Sequence, residues 1–97
     1  MPTLFILSHA PHGDSLQDKT VSLAREGDSV LLIEDGVFAA VCAPTSLSAA
    51  LEAAQQRGVE FYALEGDVAA RGVKSSVPTV DYGGFVDLIA AHERSVH

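Results

Sequence analysis

Two histidines, His9 and His12, flank Ala10-Pro11 just after the apolar run Leu4-Phe5-Ile6-Leu7. Together with Glu34 or Asp35, which follow a second apolar run, they offer nitrogen and oxygen donors to a divalent metal, provided the ligands converge to about 2.0–2.2 Å from the ion. Spacing alone does not establish convergence, and two solvated loop histidines give the same pattern, so no metal is assigned. Glu34-Asp35 also offers a general acid and a general base, because burial and mutual repulsion separate the pKa values of neighbouring carboxylates. Asp35-Gly36 after a strand is more commonly turn chemistry with the glycine at positive φ, and a turn is the reading adopted.

The single cysteine, Cys42, is the one soft nucleophile in the chain. As a thiolate it would attack an electrophile or carry a persulfide, which requires a helix N-terminus or a nearby cation to lower its pKa. Its neighbours Ala39, Ala40, Val41 and Ala43 supply no charge, and the expectation is a packed, inert thiol. Gly83-Gly84 lacks the spacing of a dinucleotide or P-loop phosphate cradle and reads instead as close packing of a helix start against a sheet. No cofactor is expected. Tyr82 and Phe85, three residues apart, suit either a core or a partner surface, with core the commoner outcome for aromatics at helical spacing.

The elements that must position these residues alternate. Leu4–Leu7, Val30–Ile33 and Phe61–Leu64 are short apolar runs, each followed by turn or capping residues and then a helical pattern, the third strand beginning at Glu60. That order predicts βαβ units and a mainly parallel sheet whose strands are buried on both faces. The first helix is expected over about Ser15–Arg25, with Asp14 and Gln17 as a capping pair, Leu16, Thr20, Leu23 and Ala24 inward, and Gly27 as the stop. Val37–Cys42 is ambiguous in period, with a short helix preferred. A helix from Pro44-Thr45-Ser46 to Gln56 places Leu47, Ala50, Leu51 and Ala54 on one face and ends at Gly58.

Glu65-Gly66-Asp67 opens a short helix that closes at Arg71-Gly72, and Val77-Pro78-Thr79-Val80 reads as an edge strand because proline has no ladder donor. From Asp81 a last helix carries Tyr82, Phe85, Val86, Ile89 and Ala90 on one stripe, and Ser95–His97 is expected to fray. The fold class is therefore α/β, a small open, mainly parallel sheet flanked by helices, as a single domain over residues 1–97. In such sheets sites lie beyond the carboxyl ends of the strands, so the loops at Ser8–His12, Glu34–Gly36 and Glu65–Asp67 are expected to share one rim.

Composition narrows the partners. A formal charge of −7 with only six Lys and Arg has the wrong sign for neutralising nucleic-acid phosphates, so direct nucleic-acid binding is not expected. A 47% hydrophobic fraction in 97 residues leaves apolar side chains that a core this small cannot hide, which predicts a partner subunit. No apolar stretch approaches the roughly 20 residues of a membrane span, and Met1-Pro2-Thr3 before a short apolar run lacks the layout of a secretory signal. With one cysteine unable to form an internal disulfide, the expected compartment is the cytoplasm.

Three blocks go further: Val30-Leu31-Leu32-Ile33-Glu34-Asp35-Gly36-Val37-Phe38-Ala39-Ala40, then Phe61 through Gly72 with Leu64-Glu65-Gly66-Asp67-Val68-Ala69-Ala70-Arg71-Gly72, then Val80-Asp81-Tyr82-Gly83-Gly84-Phe85-Val86-Asp87-Leu88. In order and spacing, nearly end to end, they resemble the TusB/DsrH family, and Ser8-His9-Ala10-Pro11 is similar to that family's loop after the first strand. The resemblance implies a flavodoxin-like half (DsrE-like) that forms one subunit type of a heterohexamer with TusC/DsrF-like and TusD/DsrE-like partners, two copies of each. It implies a role in a sulfur relay, either passing persulfide sulfur toward 2-thiolation of the tRNA wobble uridine or serving dissimilatory sulfur oxidation.

Some DsrH-type members carry a cysteine early in the first helix, where this chain has Thr20. That departure implies a non-catalytic subunit, tilts the expectation toward the tRNA branch, and puts the sulfur acceptor on the TusD/DsrE-type partner. Cys42 matches no family cysteine, so the resemblance transfers no role to it. The rival expectations are a Cys42-dependent sulfurtransferase and a free-standing homo-oligomeric binding module built on the rim loops.

Overall fold

The computed structural model describes residues 3–8, 21–40 and 45–96. Strands β1 (Thr3–Leu7), β2 (Ser29–Leu32), β3 (Glu60–Leu64), β4 (Thr79–Val80) and β5 (Arg94–Val96) make a five-stranded open sheet in the order β4-β3-β2-β1-β5. Every adjacent pair is parallel. This is the α/β architecture expected from the sequence, and β1 and β2 are continuous apolar runs because each is covered on both faces. Their side chains alternate: Phe5, Leu7, Val30, Leu32, Phe61 and Ala63 enter one core, and Leu4, Ile6 and Leu31 the other.

Helical segments occupy residues 21–23, a 3-10 helix Glu34–Ala40, α1 (Thr45–Gln56), α2 (Glu65–Ala70) and α3 (Tyr82–Ala91). The steps β1 to β2, β2 to β3 and β3 to β4 all move the same way across the sheet. Parallel crossovers are right-handed in about 98% of cases, so these connections stack on one face. Accordingly Val21, Ala24, Val37, Ala39 and Ala54 are buried there, with Ala50, Leu51, Val68, Val73 and Val77 packed around them. The step from β4 to β5 runs back past the whole sheet, and α3 therefore crosses the opposite face, through Phe85 and Leu88, the one helix to do so among the described residues.

Local devices close the frame. Asp28 is buried, and its carboxylate accepts from Thr3 N at 2.8 Å and from Arg25 N at 2.9 Å, tying the start of β1 to the segment that precedes β2. Arg57 donates from Nη2 to the carbonyls of Val21 and Ala24 at 3.3 and 2.9 Å, satisfying acceptors that a helix end leaves open. Gly27 and Gly58 both sit at φ +92, as expected of helix stops.

Several expectations are corrected. Ser95 and Val96, expected to fray with His97, instead form with Arg94 a strand paired to β1, Thr3 opposite Arg94 and Phe5 opposite Val96, while His97 lies outside the described residues. Leu23, expected inward, is 69% exposed, and Val21 takes the buried position beside Ala24. The helix preferred over Val37–Cys42 begins earlier, as a 3-10 turn at Glu34. The stripe of α3 that meets the sheet is Phe85 and Leu88, not Tyr82, Val86 and Ile89. The expected capping pair Asp14 and Gln17 lies outside the described residues, as do Leu16 and Thr20, and so does the side chain of Leu47.

Candidate functional site

Three of the strands end on one rim, and the rim is knotted by side chains. Ile33 N donates to the Leu7 carbonyl at 3.0 Å and Gly36 N to the Ile33 carbonyl at 2.8 Å, folding the loop after β2 back over the end of β1. A Cβ on Gly36 would lie 2.0 Å from the Leu7 carbonyl oxygen, so the glycine is required by close backbone approach. The turn reading had placed positive φ at Gly36; it falls instead on Glu34, at φ +49. A non-glycine residue in that region costs about 1–2 kcal/mol. Asp67 offsets part of it, its Oδ2 accepting from Glu34 N at 2.7 Å, and Arg71 Nε donates to Asp35 Oδ1 at 2.8 Å while its Nη1 lies 3.6 Å from Asp67 Oδ1.

The loops at Glu34–Gly36 and Glu65–Asp67 are thus joined on one rim, with Ser8 half-buried at the end of β1 beside them. His9, His12 and Cys42 lie outside the described residues. Among the described residues, no three His, Cys, Asp or Glu side chains are grouped to hold a metal. Asp35 is held by Arg71 as an ion pair, in keeping with a turn-fixing role. Sequence reading did not identify Asp67 and Arg71 as the fasteners of this rim; the four-residue Asp67-to-Arg71 spacing on α2 was the available signal.

A shallow depression lined by Leu64, Glu65, Gly66, Ala69, Asp81 and Tyr82 opens between the ends of β3 and β4. The connections leaving these two strands go to opposite faces, which makes this the topological switch point of the sheet. Asp81 caps α3, accepting from Gly84 N at 2.7 Å. Gly84 packs close to β4, where a Cβ would stand 3.0 Å from Val80 Cβ, the tight helix start expected of Gly83-Gly84.

The aromatic pair divides. Phe85 is half-buried against the sheet, whereas Tyr82 is 72% exposed and meets Phe85 edge to face, centroids 5.8 Å apart. Val86 and Ile89 continue the outward stripe at 53% and 43% exposure. At the amino end of the sheet, Tyr62 donates to Glu60 Oε2 at 2.6 Å, and this hydrogen bond, with some burial and the carboxylate charge, raises the phenol pKa above its ordinary 10.0. No helix among the described residues is long and apolar enough to cross a membrane.

Fold and rim together define a small, open, all-parallel α/β chain with an apolar helix face turned outward. The profile of the family described as "DsrH like protein" matches residues 9–95. Protein TusB of Photorhabdus laumondii subsp. laumondii is 34% identical over 95 residues, spanning 94% of this chain and 95% of that protein. Protein TusB of Yersinia pestis is 31% identical over 97 residues, with 96% and 97% covered. The solution NMR structure of protein Tm0979 from Thermotoga maritima superposes with a TM-score of 0.63 over 94% of each chain, at 24% identity, and shares the fold. The chain belongs to the DsrH-like family, with TusB proteins among its relatives.

Proposed function

We propose that this chain is the TusB-like, non-catalytic subunit of a sulfurtransferase complex that relays persulfide sulfur toward 2-thiolation of the tRNA wobble uridine. The observation that carries the reading is the match to TusB proteins over nearly the whole of both chains. The partners are TusC/DsrF-like and TusD/DsrE-like subunits, two copies of each in a heterohexamer, in the cytoplasm. The sulfur acceptor is a cysteine of the TusD/DsrE-like partner, since Thr20 stands where some relatives of the DsrH type carry a thiol.

The partner surface is assigned to α3. Tyr82, Val86 and Ile89 form an exposed apolar stripe, and an exposed aromatic within such a stripe is a common interface anchor. Phe85 supports it from below through its edge-to-face contact with Tyr82. Nucleic acid is met, on this reading, by other components, because the chain carries seven more acidic than basic side chains.

Co-expression with the TusC- and TusD-like proteins of its own source, followed by native mass spectrometry, tests the assignment. A complex holding two copies of each chain, whose persulfide loading is unchanged by Cys42→Ala, is the expected result. A chain that never associates, or loading that disappears with Cys42, overturns it.

A further inference from the structure

The last described strand buries none of its own side chains. Arg94, Ser95 and Val96 are all exposed, and β5 is joined to the sheet on one side only, along residues 3–5 of β1. A three-residue edge strand, paired among the described residues on one side, belongs to the least stable part of a fold. One side chain at its root is nevertheless anchored in the interior. His92, half-buried between the last turn of α3 and β5, has Nδ1 2.6 Å from the Leu88 carbonyl and Nε2 3.0 Å from Ser29 Oγ on β2.

The chemistry of these contacts is determined by their partners. A carbonyl oxygen only accepts, so Nδ1 carries the proton and donates to Leu88; in the neutral ring Nε2 then accepts from the Ser29 hydroxyl. Should the ring become a cation, the hydroxyl turns round and accepts, and both contacts persist. Ser29 is buried, so its hydroxyl has little competition from water. Asp28, Glu60 and Tyr62 line the same depression around His92, yet none of them bonds the imidazole.

We propose that Arg94–Val96 is a releasable strap over the β1 edge, and that His92 is the latch that holds its root against β2. The strap opens while the rest of the sheet stays folded, because Arg94, Ser95 and Val96 bury no side chain of their own, and opening breaks the β1 pairing and the imidazole contacts and uncovers the Ser29 hydroxyl. An open strap leaves β1 as a bare edge, with a row of unpaired backbone groups.

Amide hydrogen exchange on the full-length chain, resolved by residue, provides the test. In the unmodified protein, residues 94–96 and the β1 amides that face them exchange at least about tenfold faster than Val30–Leu32 and Phe61–Ala63, as expected of sub-global opening. His92→Ala accelerates only that set, by roughly two- to tenfold for the hydrogen bonds lost. Ser29→Ala produces a smaller change in the same amides, and His92→Gln, which keeps a polar group near the Nε2 position, restores part of the protection. Exchange of residues 94–96 as slow as that of β2 and β3 in the unmodified chain overturns the strap. An unchanged rate at 94–96 in both His92→Ala and Ser29→Ala, or an equal acceleration throughout the sheet, overturns the latch.

Discussion

The two faces of the sheet are built from the same strands and differ in nearly everything else. On one, twelve buried apolar residues among those described form a continuous core under three helical connections. On the other, Leu4, Ile6 and Leu31 are buried, and among the described residues one helix covers them with two half-buried side chains, Phe85 and Leu88. Strand order explains the asymmetry, since only the last crossover reverses direction. The thickly covered face is a finished protein interior. The thinly covered one carries a helix that is apolar both toward the sheet and away from it, which is the pattern of an element placed between two subunits.

The first way to break this contrast is at Gly36, whose Cβ position is occupied by the Leu7 carbonyl oxygen. Gly36→Ala should cost about 3 kcal/mol or more in urea unfolding, since backbone rather than a flexible side chain must move. Next, Leu32→Ala on the thick face should destabilise by about 3–5 kcal/mol, against about 1–2 kcal/mol for Leu88→Ala on the thin one. Equal losses at the two positions would remove the distinction between the faces. Asp28→Ala strips the acceptors of Thr3 N and Arg25 N and should cost about 1–3 kcal/mol, with Asp28→Asn recovering part.

Smallest of all in the isolated chain is Val86→Asp, which should alter stability by about 0.5 kcal/mol or less because the side chain faces solvent. The same substitution should abolish assembly with the sister subunits, so its effect appears only when they are present. A control on the thin face's edge is Tyr62. Its raised pKa favours the protonated phenol in the folded state, so that contribution holds below the ordinary value and is lost as pH rises through the folded one. Glu60→Gln should bring the phenol's absorbance titration back down.

Much of the frame was legible in the sequence for physical reasons. The apolar runs at Leu4–Leu7 and Phe61–Leu64, the helix start at Asp81 and the stop at Gly58 are local signals, and each stands where those signals put it. What was not legible depends on what lies across a gap in the chain. Arg94-Ser95-Val96 has no apolar run to announce a strand, and only the β1 edge beside it makes it one. Periodicity shows that α3 is apolar at Tyr82, Phe85, Val86 and Ile89, but it does not distinguish side chains facing the sheet from those facing outward. At the rim, Asp35-Gly36 signalled a turn, yet the strained residue is Glu34, because Asp67 from α2 reaches across to its N–H.

Hydroxyl-radical footprinting of the chain alone and of the co-expressed assembly tests the central claim, that the outer face of α3 is the subunit contact, most directly. The account predicts strong protection of Tyr82, Val86 and Ile89 in the assembly while Leu23, about as open as Tyr82 in the isolated chain, stays labelled. Unchanged labelling along α3 in an assembly that does form would contradict it.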